Sequence, residues 1–207
     1  MSMKLEGRVR PRLLTSLALA FVVPLALAGA ASGLTLGQVA PPGLGGCGNC
    51  EVLQRNVAAG EPRYRVPAGN WTITSWSTQG GGGATGHARL RVYRPTGTPG
   101  QFKIIRQTKL ETVPANGHPS FATSLAVKGG DLLGLVTVDN LVSAYSTNVA
   151  GDTVSTVPCG LSVGGLVGRG TPCKLGSLTT HLVNVSATLV PRSPAPAGLG
   201  RRPCLSS

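Results

Sequence analysis

Residues 87–93, HARLRVY, alternate cation or ring with aliphatic side chain. His87, Arg89, Arg91 and Tyr93 share one parity, and Leu90 and Val92 share the other. On a strand, successive side chains point to opposite faces, so the first set would line one side of a sheet. Lys103, in the following run QFKIIRQ (101–107), joins that face if the two strands pair. A row of cations ending in a phenol suits a polyanion or a sugar acid. A second candidate is Trp76. In WTITSW (71–76) parity sends Trp71 and Ile73 to the core face and Trp76 to the other. An outward indole can stack on a sugar ring. Trp76, His87, Arg89, Arg91, Tyr93 and Lys103 are therefore the expected ligand-binding residues.

Catalytic chemistry finds less support. Nucleophilic hydrolysis needs Ser or Cys beside an oriented base. The histidines are His87, His118 and His181, and no G-x-S-x-G elbow is present. GHPS (117–120) brings a His near a Ser, but inside a turn. Beyond the first thirty residues the acids are Glu51, Glu61, Glu111, Asp131, Asp139 and Asp152, with no pairing that spacing supports for glycoside hydrolysis. Gly80–Gly83 lacks the G-K-[ST] of a phosphate loop. The acids form no calcium-type cluster. The expectation is a non-enzymatic protein with no metal and no cofactor.

The N-terminus sets the compartment. A basic stretch (KLEGRVRPR, 4–12) leads into the apolar LLTSLALAFVVPLAL (13–27) and then AGAAS (28–32), the tripartite form of a secretory signal. The expected location is extracellular or wall-associated, with no membrane contact once the leader is removed. Export places Cys47, Cys50, Cys159, Cys173 and Cys204 in an oxidising setting. Cys159 and Cys173 bracket a Gly-rich loop and are the expected disulfide. Closing such a loop stabilises by about 3 kcal/mol in the chain-entropy model. Cys47 and Cys50, in C-G-N-C, are a possible local pair. A zinc site there would need two more ligands, and no second C-x-x-C exists.

The elements that must position these residues are strands. The chain has 207 residues, of which 30 are Gly and 16 Pro, and only 13% are charged. Short Val- and Leu-rich runs recur between turn signals at sandwich spacing. WTITSW, HARLRVY, QFKIIRQ, KLETV (109–113), SFATSLAV (120–127), LLGLVTV (132–138) and HLVNVSATLV (181–190) read as strands. LLGLVTV is apolar on both faces, as a central strand would be. No stretch shows sustained helical periodicity. The expected organisation is a signal peptide (1–30), a linker or short edge strand (31–47), a β-sandwich domain (48–190) and a disordered tail (191–207).

The strings PAGNWTITSWSTQGG, LRVYRPTG, GGDLLGL and LVNVSATL resemble a group of secreted proteins of unknown function from high-GC actinobacteria. The resemblance implies an antiparallel jelly-roll-like β-sandwich behind a signal peptide, and it implies no activity. The net charge is +12, and without the leader fifteen basic residues face six acidic ones, a surplus of +9. Such a surplus favours acidic partners. Taken together, the expected function is a secreted module that binds carbohydrate or an anionic cell-wall polymer, with nucleic acid not expected as a partner. A structural or adhesive module that contacts protein is the competing class. A hydrolase lacking a recognisable motif is the third.

Overall fold

The computed structural model describes residues 33–42, 50–58, 63–139, 141–157, 166–167 and 177–192. The expected leader, Cys47, Cys159, Cys173 and Cys204, and the tail beyond Arg192 lie outside them. Among the described residues every regular element is a strand.

β1 (Leu34–Gln38), β14 (Val185–Pro191), β3 (Asn70–Ser77) and β7 (Ser120–Lys128) form one antiparallel sheet in that order. The segment LTLGQ thus supplies an edge strand, and β7 is the other edge. The second sheet centres on β4 (Gly86–Pro95) and β8 (Leu132–Val138). On one side of this pair β4 takes β5 (Phe102–Gln107) and β6 (Glu111–Val113), and β11 (Leu166–Val167) follows β5. On the other side β8 takes β2 (Glu51–Asn56), then β10 (Thr153–Val157) and β12 (Ser177–Thr179). β9 (Ala144–Ser146) and β13 (His181–Val183) make a small third sheet.

One apolar cluster draws on both large sheets. Leu36, Ile73, Val127, Ala187 and Leu189 come from the first, and Val52, Leu90, Val92, Leu133 and Leu135 from the second. Each such aliphatic side chain contributes about 1.5–3 kcal/mol by leaving water. The expected inward set of HLVNVSATLV, namely Val183, Val185, Ala187 and Leu189, is buried as its alternation requires.

The run HLVNVSATLV is two strands rather than one, and Asn184 marks the break. Its buried carboxamide is fully occupied. Oδ1 accepts from Ala40 N (2.7 Å) and Gln79 N (3.2 Å), while Nδ2 donates to Gln79 O (2.8 Å) and Val142 O (2.7 Å). A buried amide is tolerable when it is paired this completely. The chain changes partner here, from β9 on one side of Asn184 to β1 and β3 on the other.

A second irregularity overturns the expected outward placement of Trp76, while Trp71 packs against the core as expected. Against β14, Ile73 pairs with Leu189 and Ser75 with Thr188, so Thr74 is an extra residue in β3. A bulge of this kind reverses the alternation beyond it. Ile73 and Trp76 therefore share the core face. Trp76 is 1% exposed and packs on Phe121 with ring centroids 4.8 Å apart. Trp71 is the half-buried one, its Nε1–H donating to Pro67 O (3.2 Å) and Ala68 O (3.3 Å). No sugar can stack on Trp76.

Candidate anion-binding clefts

The alternation along β4 is as expected, but the face it produces is not a solvated one. Ala88, Leu90 and Val92 enter the main core. On the opposite side Tyr93 joins Leu53, Phe102, Ile104, Leu132 and Val157 in a second buried cluster. Arg91 is buried there too, and its Nη1 lies 2.6 Å from Glu51 Oε1. Its Nε donates to Gln107 Oε1 at 3.1 Å. The Tyr93 hydroxyl donates to the same Glu51 oxygen at 2.5 Å. Burial first, and then the Glu51 charge, push the Tyr93 phenol well above the usual tyrosine range. This packing needs a glycine at position 134, where a Cβ would strike both the Val52 carbonyl and the Tyr93 ring. Arg91 and Tyr93 are consequently unavailable to a ligand. The reason is that neighbouring strands of the same sheet set Leu53, Phe102, Ile104, Leu132 and Val157 beside Tyr93 on that face.

The other expected site residues scatter. His87 sits at the start of β4 with Nδ1 2.9 Å from Asp139 Oδ2, and both side chains are largely exposed. Arg89 is partly buried. Lys103 is exposed on β5 and borders a cleft. The expected face therefore does not assemble. Of the cysteines, only Cys50 falls within the described residues, and it is not free.

Two clefts collect the cations instead. The larger, about 1030 Å³, is formed by the end of β2, the segment 63–70 and the turn after β7. Arg55, Arg63, Arg65 and Lys128 stand around it, and Val57, Pro67 and Ala68 give it apolar wall. Its frame is held by backbone pairing. Val66 N donates to Asp131 O (2.8 Å), Gly130 N to Val66 O (2.9 Å), and Gly129 N to Gly69 O (2.8 Å). Gly130 has φ of 91°, a conformation that side chains other than glycine's rarely adopt. The turn KGGD is thus a fixed part of the wall.

The smaller cleft, about 570 Å³, lies where the end of β7 meets β5. Arg94, Lys103, Arg106, Lys128 and Arg192 surround it, over Ile105 and Val127. Among the described residues neither cleft has a carboxylate in its lining. Of these cations only Arg94 is in an ion pair among the described residues. Its Nε and Nη2 donate to the two oxygens of buried Asp131 at 2.7 and 2.9 Å. These hydrogen bonds to Asp131 hold the Arg94 guanidinium above its ordinary pKa. Asp131 Oδ2 also accepts from Lys128 N at 2.8 Å, so one buried carboxylate fixes both the turn and the guanidinium.

Reading by strand face missed Arg55, Arg63, Arg65, Arg94, Arg106, Lys128 and Arg192. Most of them stand at strand ends and turns, where side chains stay in water whichever way the faces point. A signal was present, since Arg63, Arg65 and Lys128 flank turn sequences rather than apolar alternation. Among the described residues no three His, Cys, Asp or Glu side chains are grouped to hold a metal, and no helix is long and apolar enough to cross a membrane. No protein-family model, curated protein or solved structure matches this chain.

Proposed function

We propose that this protein is a secreted, non-catalytic β-sandwich of jelly-roll type that binds an anionic cell-wall polymer through the larger cleft. The observation that carries this reading is the set Arg55, Arg63, Arg65 and Lys128 around one cleft, with no salt bridge to any of them among the described residues. Crowding cations without interleaved acids costs repulsion, which a polyanion relieves. Neutral carbohydrate is the weaker of the two ligand classes the sequence suggests, because the indole meant to stack on it is buried. Tyr64, the one aromatic lining the cleft among the described residues, is 1% exposed, and its hydroxyl donates to Val183 O. Single-stranded nucleic acid would want the same missing stacking surface.

Binding is favoured over hydrolysis by the commitments of the acids. Glu51 holds Arg91 and Tyr93, and Asp131 holds Arg94. Asp152 accepts from Ala58 N and Thr147 Oγ1. The export reading rests on the leader-like N-terminus. The disulfide-bonded state of Cys50 accords with an oxidising compartment. Its partner, and the expected Cys159–Cys173 bond, fall outside the described residues.

The test is a binding panel with the purified protein against phosphodiester, uronate and neutral glycans. Anionic chains should bind, neutral chains should not, and affinity should fall as salt shortens the screening length. The double variant Arg55→Glu, Arg63→Glu should lose binding at least tenfold while its thermal midpoint stays near the parent's. Equal affinity for neutral and anionic glycans would refute the reading.

A further inference from the structure

We infer that the two clefts are one extended site, and that its ligand is a linear polyanion lying across both rather than a single anionic group in either. This rests on the proposed function, because it concerns the ligand of the same cleft. Lys128 belongs to both linings. A second link is structural. Asn70 lines the larger cleft and is the register partner of Lys128, and its carbonyl accepts from Arg192 N at 3.0 Å. Arg192 in turn lines the smaller cleft. The junction Asn70, Lys128 and Arg192 thus carries the basic surface from one cleft to the other, with no acid in either lining among the described residues.

The smaller cleft is built to hold charge. Lys103, Arg106, Lys128 and Arg192 surround it, and among the described residues no carboxylate lies within salt-bridge distance of them. The Arg106 Nη1–H donates to the neighbouring Ile105 carbonyl, at 2.7 Å. Arg94 is different, since Asp131 neutralises it and fixes its direction. Asp131 acts as a positioning residue. From beneath the surface it orders the turn that carries Lys128 and anchors the guanidinium at the cleft border. A monomeric anion would engage one end of this band. A chain engaging both ends gains from effective concentration, because its second contact is intramolecular.

The experiment measures affinity against chain length at about 0.15 M salt, where exposed charges more than about 8 Å apart are largely screened. The probes are poly(glycerol phosphate) and polyuronate chains graded from the monomer upward, with oligo-dT as the nucleic acid arm. Affinity should rise by about tenfold or more over a narrow range of length and then level off. Lys103→Glu with Arg106→Glu should abolish that rise, so that long chains bind no more tightly than short ones. Arg55→Glu with Arg63→Glu should weaken chains of every length. Thermal midpoints near the parent's value would show both variants folded. If the Lys103, Arg106 variant keeps the rise, the spanning site is wrong and the single-cleft reading survives. If no chain binds, or if neither variant changes binding, the proposed function itself fails. Tighter binding of oligo-dT than of either polymer would overturn the ligand class.

Discussion

β4 carries two arginine–carboxylate pairs three residues apart, and the two are put to different use. Arg91 and Glu51 are both buried, the side chains 6% and 0% exposed. In the Arg94–Asp131 pair only the acid is buried, and the arginine side chain is 41% exposed. In the first, charge is spent within the fold, because two desolvated ions hold each other and a phenol in place. In the second, a buried acid reaches outward to fix a cation at the surface. Counting arginines on a strand therefore says little about the surface potential until each one's partner is known.

The comparison breaks hardest at Glu51. Glu51→Ala would leave the Arg91 guanidinium buried without its counter-ion and Tyr93 without its acceptor. The expected loss is about 3–5 kcal/mol of unfolding free energy, read as a shift in the denaturant midpoint at unchanged slope. Adding Arg91→Met should recover part of it, because a buried ion pair is often replaced by apolar volume at little cost. A double variant as unstable as the sum of the single ones would show that the pair is not coupled.

β8 shows how far this arrangement was legible. LLGLVTV is apolar on both faces, and in the structure it lies between β4 and β2 in the middle of the larger sheet. A strand covered on both faces implies that its neighbour is covered too. The outward parity of Arg91 and Tyr93 was therefore never the same as exposure. Alternation along β4 reads correctly from the sequence, as do the strands from WTITSW to LLGLVTV. Other features did not read, among them the strands β2, β9, β10, β11 and β12, which no expected run covers. The Thr74 bulge is a matter of register between strands, and nothing in the local composition of WTITSWS announces the extra residue. The break at Asn184 depends on four partners drawn from residues 40, 79 and 142, which are distant in sequence. The basic clefts likewise join segments that only the topology brings together, with Lys128 and Arg192 meeting at Asn70.

A smaller effect separates the two pairs by what their acids hold. Asp131→Asn should cost about 2 kcal/mol, since the carboxylate accepts from Arg94 and Lys128 N, and an amide nitrogen would oppose one of those donors. The loss is below that at Glu51 because the freed Arg94 can reach water. The same variant should weaken binding of long anionic chains by loosening the turn that presents Lys128. A stability loss as large as that of Glu51→Ala would erase the distinction between the pairs.

The smallest expected effect is at Tyr93, and pH isolates it. Its phenol is raised well above the ordinary value of 10.0 by burial and by Glu51, and Tyr64 is raised as well, chiefly by burial. A group whose folded pKa exceeds its unfolded one gives its full contribution below the unfolded value. That contribution is lost as pH climbs from there toward the folded pKa. Thermal stability should accordingly be flat in this respect up to about pH 10 and then fall, as the unfolded chain releases phenolic protons that the folded chain retains. Tyr93→Phe removes one donor to Glu51 and should cost about 1 kcal/mol at neutral pH. It should also make the alkaline fall shallower, because one raised phenol is gone. The Glu51–Arg91 contact would remain, so the variant should stay far more stable than Glu51→Ala. An alkaline slope identical to the parent's would mean that Tyr93 exchanges its proton as freely in the folded chain as in the unfolded one. The buried pair would then be open to water, and the contrast with Arg94–Asp131 would disappear.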